Sequence, residues 1–149
     1  MPSLPISHHK QQRQADCLAA CAFMVLAYWQ HPISYARLIN LLRIGYAGAP
    51  FSNLRYLESL GVSVTIGQGE LATLRHYLNQ GIPPIVFVAT KELAYWKEAT
   101  NHAVVVIGIG DEFVEVNDPA FDDAPITIPI AEFDLAWLEM NEFFAILSV

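Results

Sequence analysis

One of the two cysteines of the chain lies where a thiol could act as a nucleophile. In the stretch QQRQADCLAAC, residues 11 to 21, Cys17 follows an acidic residue and opens an apolar, alanine-rich run. Such a run predicts a helix that begins at Cys17, with Asp16 as its N-cap. The positive end of a helix dipole favours a thiolate over a thiol. Cys21 falls one turn deeper, where we expect a buried residue without a chemical role.

A predicted hairpin carries a histidine and an aspartate that could complete the site. The segment NHAVVVIGIGDEFVEVNDP, residues 101 to 119, is typical of two antiparallel strands joined by a turn near Gly110 or Asp111. This register places His102 opposite Asp118 or within two residues of it. Both side chains then share one face of the sheet if no bulge intervenes. Asp118 could orient the imidazole of His102, which would exchange a proton with a nearby thiol in an acyl-transfer reaction.

Zinc binding is an alternative use of the same side chains, because cysteine, histidine and aspartate are all zinc ligands. However, Cys17 and Cys21 have the spacing C-x3-C within one predicted helix, and no compact second pair follows. The spacing also differs from the C-x2-C of thiol redox motifs, and a disulfide between the two cysteines would strain the helix. We therefore expect no metal and no organic cofactor.

The order of predicted elements indicates an α+β fold with a helical first half and a strand-rich second half. The helix that begins at Cys17 extends to about Tyr28 and is apolar nearly all round, which is typical of a helix at the centre of a domain. Periodicity and capping residues predict the other elements. They are helices over 34–43 with Ser34 as cap, 53–61 with Ser52 as cap, 70–81 and 131–140, strands over 62–66, 82–89 and 142–149, and the hairpin.

The composition describes one domain over residues 1–149, with 54% hydrophobic residues and enough apolar material for a core. Eight basic residues against fifteen acidic ones leave no basic stripe for a phosphate backbone, which argues against nucleic acid as a partner. No apolar run reaches the roughly 20 residues that span a bilayer, and no signal peptide is recognisable, so we expect a cytoplasmic protein. His8 and His9 lie in a polar N-terminal segment, where we expect them to be solvated.

Several of these motifs together resemble one known family. The stretch Q-x5-C in QQRQADC, continued as DCLAACAFM, and the later NHAVVVIGIG and NDPA are similar to the bacteriocin-processing cysteine peptidases. These are papain-like domains at the N-terminus of ABC exporters, and they remove double-glycine leader peptides. The resemblance implies a papain-like fold, in which a central N-terminal helix packs on an antiparallel β-sheet.

The same resemblance implies a role for each residue of the candidate site. Cys17 matches the nucleophile and His102 the general base. Asp118 matches the acid that orients the base, and Gln11 matches the glutamine that donates to the oxyanion. A side-chain amide and the backbone N–H of Cys17 could converge on one developing negative charge. The chain departs from the family at Leu18, where relatives usually carry glycine, and it lacks transmembrane and ATPase regions, so we expect a stand-alone domain.

We therefore expect a cysteine endopeptidase that cleaves a peptide or small-protein substrate, with a double-glycine leader as one candidate, through an acyl-thioester intermediate. A separate exporter or secretion complex is a candidate partner. One alternative is a non-catalytic module of the same fold that binds an amphipathic leader helix in an apolar groove, to which Tyr46, Phe51 and Tyr56 could contribute. The other is an acyltransferase that uses the same residues but transfers the acyl group to an amine or a thiol.

Overall fold

The computed structural model describes residues 3–149, which form one six-stranded sheet and four α-helices. The helices are α1 (Cys17–Tyr28), α2 (Tyr35–Leu41), α3 (Leu71–Asn79) and α4 (Ile130–Leu138). The strands are β1 (Ser63–Gln68), β2 (Ile85–Ala89), β3 (Asn101–Ile109), β4 (Phe113–Asn117), β5 (Ile126–Pro129) and β6 (Phe143–Ser148). They lie in the order β1-β6-β2-β3-β4-β5, and every neighbouring pair is antiparallel. This architecture confirms the predicted α+β class.

Alternate residues of β3 face two separate cores, which explains why this strand is apolar along its length. Ala103 and Val105 pack in the core that contains α1, whereas Val104 and Val106 pack in the core that contains α3 and α4. A strand covered on both faces has no solvent side and therefore shows no polar alternation. The sheet thus lies between α1 on one side and α3 with α4 on the other, and α1 is the buried helix that the sequence predicts.

Of the predicted helix caps, Asp16 has the predicted position but does not cap, and Ser52 is wrong. Asp16 occupies the N-cap position of α1, but its side chain makes no capping hydrogen bond there. It ends a short 3-10 turn, and its carboxylate accepts a hydrogen bond from the backbone N–H of Arg13 at 3.2 Å. The near-helical backbone at Asp16 tilts the side chain back toward that preceding turn. Ser52 caps nothing, because a 3-10 helix over Phe51–Leu60 already includes it.

The remaining boundaries agree with the sequence to within a few residues. Ser34 caps α2 as predicted, accepting a hydrogen bond from the backbone N–H of Arg37 at 3.2 Å. The 3-10 helix ends at Gly61, whose left-handed backbone (φ 79°) favours glycine. Strand β5 was not predicted, because it is only four residues long and ends in proline. Within residues 3–149, no helix has the length and apolar character needed to cross a membrane.

A β-bulge in the β3–β4 hairpin sets the register at the open end of the sheet. Near the turn Ile109 pairs with Val114, whereas beyond the bulge, at 106–108, Val105 pairs with Asn117. The extra residue in β3 shifts the register by one position. Because side chains alternate between faces, the bulge reverses the facing of the β3 residues beyond it relative to β4, so that Val106 pairs with Val116 and both pack in the core that contains α3 and α4.

Candidate active site

His102 and Asp118 form a buried, hydrogen-bonded pair at the open end of the β3–β4 hairpin. His102 is the second residue of β3, and Asp118 directly follows β4. Nε2 of His102 lies 2.6 Å from Oδ1 of Asp118, and both side chains are nearly inaccessible to solvent. The two residues share one face of the sheet, as predicted, but the reason differs from the one expected. The one-residue shift of the bulge brings them to the same face, whereas an unshifted hairpin would have separated them.

Four donors satisfy the buried carboxylate of Asp118. Oδ1 accepts hydrogen bonds from His102 Nε2 and from the backbone N–H of Ala120 at 2.9 Å. Oδ2 accepts hydrogen bonds from the Tyr95 hydroxyl at 2.7 Å and from Trp96 Nε1 at 3.0 Å. Burial alone would raise the pKa of Asp118, but the hydrogen bond and charge of His102 and the other donors hold it below its ordinary value. The carboxylate is therefore charged, although no solvent reaches it.

The imidazole of His102 is held in its protonated form. Burial alone would lower the pKa of His102, but hydrogen bonding to Asp118 and Cys17, together with their negative charges, raises it from 6.5 to about 9. Gln14, Thr100 and Asn101 line both the pocket beside Cys17 and the pocket beside His102, so the two side chains lie at neighbouring pockets. Because Asp118 engages Nε2, Nδ1 is the nitrogen left to face the thiol.

The two cysteines of α1 have different surroundings. Cys17 is the first residue of α1 and is half-buried, and no side chain caps the first turn of this helix. Cys21 is fully buried in the core, as predicted. Burial, reinforced by the negative charges of Cys17 and Asp118, raises the pKa of Cys21 well above its ordinary value. Both thiols are free. Of the two, only Cys17 is both accessible and next to an ionisable partner.

Gln11 lies in the same region, although its amide group is not directed at Cys17. Its backbone N–H donates to the carbonyl of Pro119 at 2.8 Å, which attaches the N-terminal segment to the loop after β4. Its Nε2 donates to the carbonyl of Gln14 at 3.2 Å, while its Oε1 is buried without a hydrogen-bond partner. A side-chain amide nitrogen has two N–H groups, so one donor is still available. The oxyanion role of Gln11 stays a prediction.

The histidines of the N-terminal segment are half-buried and not fully solvated as predicted. Nε2 of His8 lies 2.8 Å from the backbone carbonyl oxygen of Asp118. The ring of His9 packs against Phe23 and Tyr35, with ring centroids 4.3 Å and 5.3 Å away. The segment is polar in sequence, but it crosses the protein between α1 and the loop after β4. It therefore helps to hold the loop that begins at Asp118.

Tyr95 and Trp96, which lie in the irregular segment between β2 and β3, were not predicted as site residues. Trp96 donates to Asp118 and also covers His102, with ring centroids 4.7 Å apart and planes at 61°. The only signal in the sequence is two adjacent aromatic residues in an otherwise polar loop, KELAYWKEAT. Such a pair does not reveal its partner, because Asp118 is more than 20 residues away along the chain.

Two pockets flank the Cys17 and His102 side chains. The first, which we call the His102 pocket, has a volume of about 460 Å³ and is lined by Gln11, Tyr95, Trp96, His102 and Phe121, among others. The second, the Cys17 pocket, has a volume of about 450 Å³ and is lined by Cys17, Leu18, Ala47, Gly48, Ala49 and Phe87, among others. Gln14, Thr100 and Asn101 line both pockets. An extended peptide could therefore occupy both pockets, with one bond over the reactive groups.

The aromatic residues considered for a leader-binding groove are dispersed. Tyr46 is 97% exposed. The ring of Phe51 packs against Phe87 with centroids 5.5 Å apart. Tyr56 lies beneath the guanidinium of Arg43, 4.2 Å from its ring centroid.

In the part of the chain that the structure describes, no group of three or more histidine, cysteine, aspartate or glutamate side chains could hold a metal ion.

Comparison with solved structures gives the class of fold. Over 97% of its length the chain matches 95% of a C39-like peptidase from Bacillus anthracis, with a TM-score of 0.81 and 15% identity. It matches the peptidase domain of Streptococcus ComA, a bifunctional ABC transporter of a quorum-sensing pathway, with a TM-score of 0.78, 20% identity and coverage of 96% and 98%. It also matches a double-glycine-motif protease from an AMS/PCAT transporter, solved with its leader peptide, with a TM-score of 0.77 and 21% identity. This match covers 97% of the chain and 92% of the protease. The fold is papain-like, as predicted.

Comparison of sequences gives the family. The sequence profile of the peptidase C39 family matches residues 6–144, which is nearly the whole chain. The chain therefore belongs to the peptidase C39 family and is a cysteine peptidase. This confirms the family that its motifs resemble. No curated protein sequence matches the chain.

Proposed function

We propose that this peptidase is an endopeptidase in which Cys17 is the nucleophile, His102 the general acid and base, and Asp118 the residue that orients His102. The observation that carries the proposal is the buried pair of His102 and Asp118, 2.6 Å apart, next to a pocket lined by Cys17 that shares Gln14, Thr100 and Asn101 with the pocket lined by His102. In this arrangement the nucleophile, the base and the orienting group follow one another in space. That sequence of contacts is what acyl transfer through a thiol requires.

The reaction proceeds in two balanced steps. In the first, the Cys17 sulfur attacks the carbonyl carbon of the scissile bond, and the proton on His102 Nδ1 passes to the leaving amine, which departs as the carbon–nitrogen bond breaks. In the second, His102 takes a proton from water, and the resulting hydroxide attacks the thioester to release the acid and the Cys17 thiolate. Asp118 keeps its charge throughout and holds Nε2, so that Nδ1 stays aligned with the sulfur.

Gln11 is expected to stabilise the tetrahedral oxyanion of both steps. Its remaining amide donor and the backbone N–H of Cys17 would share the negative charge. Replacing Gln11 with alanine should lower kcat on the order of a hundredfold with little change in KM, because the charge develops only in the transition state. Steady-state kinetics of Gln11→Ala and of Gln12→Ala, its neighbour, measure the effect. A rise in KM without a fall in kcat would assign Gln11 to substrate binding.

Tyr95 is expected to position Asp118 through the hydroxyl that donates to Oδ2. Tyr95→Phe removes this donor from a buried charge, and we expect kcat to fall by about tenfold while KM stays similar. Tyr28→Phe is a matched control, since it also loses a 2.7 Å hydrogen bond, to the carbonyl of Gly81, but away from the site. Equal kinetic effects of the two variants would mean that Tyr95 acts on stability alone.

A double-glycine leader is the substrate that we propose. The structural relatives include a protease of this motif in complex with a leader peptide. In this chain, the Cys17 pocket is lined by the small residues Ala15, Ala47, Gly48 and Ala49. Glycine has no side chain, so the backbone of a Gly-Gly segment can lie close to such a surface. Leu18 also lines this pocket, but it is only 2% exposed to solvent.

Mass spectrometry of cleaved synthetic peptides tests this substrate. One peptide carries an amphipathic leader segment and a Gly-Gly junction, and a second carries Val-Val at the junction. We expect a single cut after the second glycine of the first peptide and no cut at Val-Val. Cleavage of both peptides at similar rates, or cleavage only at other bonds, would exclude the double-glycine specificity while leaving the cysteine mechanism intact.

A further inference from the structure

The two pockets can be assigned to the two sides of the scissile bond. The His102 pocket contains the imidazole but not the thiol among its lining residues, whereas the Cys17 pocket contains the thiol but not the imidazole. The acyl part of the substrate becomes bonded to the Cys17 sulfur, while the leaving amine takes its proton from His102. The residue that carries the leaving amine therefore lies on the imidazole side. The His102 pocket is the binding site for the part of the substrate that follows the cut.

One wall of the His102 pocket is aromatic. The rings of Trp96 and Phe121 meet edge to face, with centroids 5.2 Å apart and planes at 89°. The ring of Tyr95 also packs against Phe121, with centroids 5.2 Å apart. The hydrogen bonds of Tyr95 and Trp96 to Asp118 fix the orientation of both rings. An apolar surface that is already ordered costs little conformational entropy when a ligand side chain packs on it.

The charged groups near this pocket do not cover its aromatic surface, on which an apolar side chain can pack. The carboxylate of Glu98 accepts a hydrogen bond from Gln14 Nε2 at 3.3 Å, and the ammonium of Lys97 belongs to an exposed residue. Asp118 lies behind the aromatic rings and is fully buried. Trp96 and Phe121, with Tyr95 and Ala120, therefore form the apolar part of the lining, and the other lining residues are polar.

We propose that the aromatic wall formed by Trp96 and Phe121 is a subsite that selects a large apolar residue directly after the cleaved bond. This specificity rests on the proposed function, because it assumes that Cys17 and His102 cleave a peptide in the stated orientation. It adds a requirement on the released product, whose first residue is apolar. A side chain that fills an apolar pocket gains about ten- to two-hundredfold in kcat/KM over one that is smaller by a methylene or more.

A pair of substrates and a pair of variants test the subsite. The substrates share a leader segment and a Gly-Gly junction and differ only in the next residue, which is Phe or Ala. We expect the wild-type enzyme to prefer the Phe peptide at least tenfold in kcat/KM. Phe121→Ala should reduce this ratio about tenfold, and Phe121→Leu should retain part of it. Phe113→Ala removes a phenylalanine that is 45% exposed at the start of β4, outside the pocket, and should keep the wild-type ratio.

The outcomes separate the subsite from the reaction. A ratio near one in the wild-type enzyme, or a ratio that Phe121→Ala and Phe121→Leu both leave unchanged, overturns the subsite but not the peptidase mechanism. If wild-type enzyme cleaves neither peptide at the Gly-Gly junction, the proposed double-glycine substrate fails and the subsite fails with it. A preference that falls in Phe121→Ala, while its thermal unfolding midpoint matches that of the wild type, supports the subsite.

Discussion

Cys17→Ala is expected to reduce peptide cleavage by at least about ten-thousandfold while leaving the folded structure intact. The variant has no nucleophile, and the imidazole of His102 cannot form the thioester by itself. The fold should tolerate the change because Cys17 is half-buried at the first position of α1, and alanine is the best helix former. Steady-state kinetics gives the loss of activity, and thermal unfolding gives the stability, which we expect to change by less than about 1 kcal/mol.

Cys21→Ala provides the matched control for this experiment. It removes the other thiol of the same helix, one turn deeper, from a fully buried position. We expect it to retain cleavage activity and to lose about 1 kcal/mol of stability through the small cavity that it leaves. Cleavage by Cys17→Ala at a rate close to that of wild type would contradict the mechanism. If Cys21→Ala lost activity while Cys17→Ala kept it, the nucleophile would be Cys21 and not Cys17.

Asp118→Asn is expected to lower kcat on the order of a thousandfold or more without preventing alkylation of Cys17. An asparagine has one acceptor oxygen in place of two, so its amide group must face some of the donors that now meet the carboxylate. The lost charge also matters, since Asp118 helps to raise the pKa of His102 to about 9. The wild-type rate should therefore decline as pH rises through about 9, and the variant's decline should occur at lower pH.

The pH profile separates this role from a general loss of stability. Asp122→Asn is the control, because Asp122 is largely exposed and pairs with Lys10 at 3.2 Å on the surface. Such a pair contributes little, and this variant should keep both the rate and the pH profile. If Asp118→Asn keeps the wild-type rate, Asp118 is not part of the site. If the rate of Asp118→Asn falls but its decline at high pH occurs at the same pH as in the wild type, Asp118 does not control the protonation of His102.

The parts of the site that depend on local sequence could be predicted, because their signals lie within one element. The helix α1 is apolar, free of proline and glycine, and begins directly at Cys17. The β3–β4 hairpin has turn residues between two apolar runs, and this brings His102 near Asp118. Both features follow from hydrophobic periodicity and turn chemistry.

The parts that depend on distant contacts could not be predicted in the same way. The bulge that puts His102 and Asp118 on one face has no distinctive residue pattern within AVVVIGI. Tyr95 and Trp96 reach Asp118 only because the loop before β3 folds over the end of β4. Burial of His9 depends on packing between the N-terminal segment and α1. Each of these features depends on contacts between distant parts of the chain, and the residues next to it in the sequence do not indicate those contacts.

Local rules also failed where two of them competed for the same residue. Asp16 is a good N-cap by type, but a 3-10 turn precedes it and offers the N–H of Arg13. Its carboxylate also accepts a hydrogen bond from the hydroxyl of Tyr35, the first residue of α2, and the sequence does not show this contact. The result is a fully buried acidic residue directly before Cys17, held by the turn that follows Gln11.

The rate of Cys17 alkylation by iodoacetamide between pH 5 and pH 9, read by mass spectrometry in wild type and His102→Ala, tests the central claim most directly. Buried Cys21, whose pKa is raised well above its ordinary value, serves as the internal control. A thiolate paired with the protonated imidazole predicts rapid labelling of Cys17 that persists well below pH 7 and is lost in His102→Ala. Labelling of Cys17 that rises only near the ordinary thiol value of about 8.5, equally in both proteins, would contradict it.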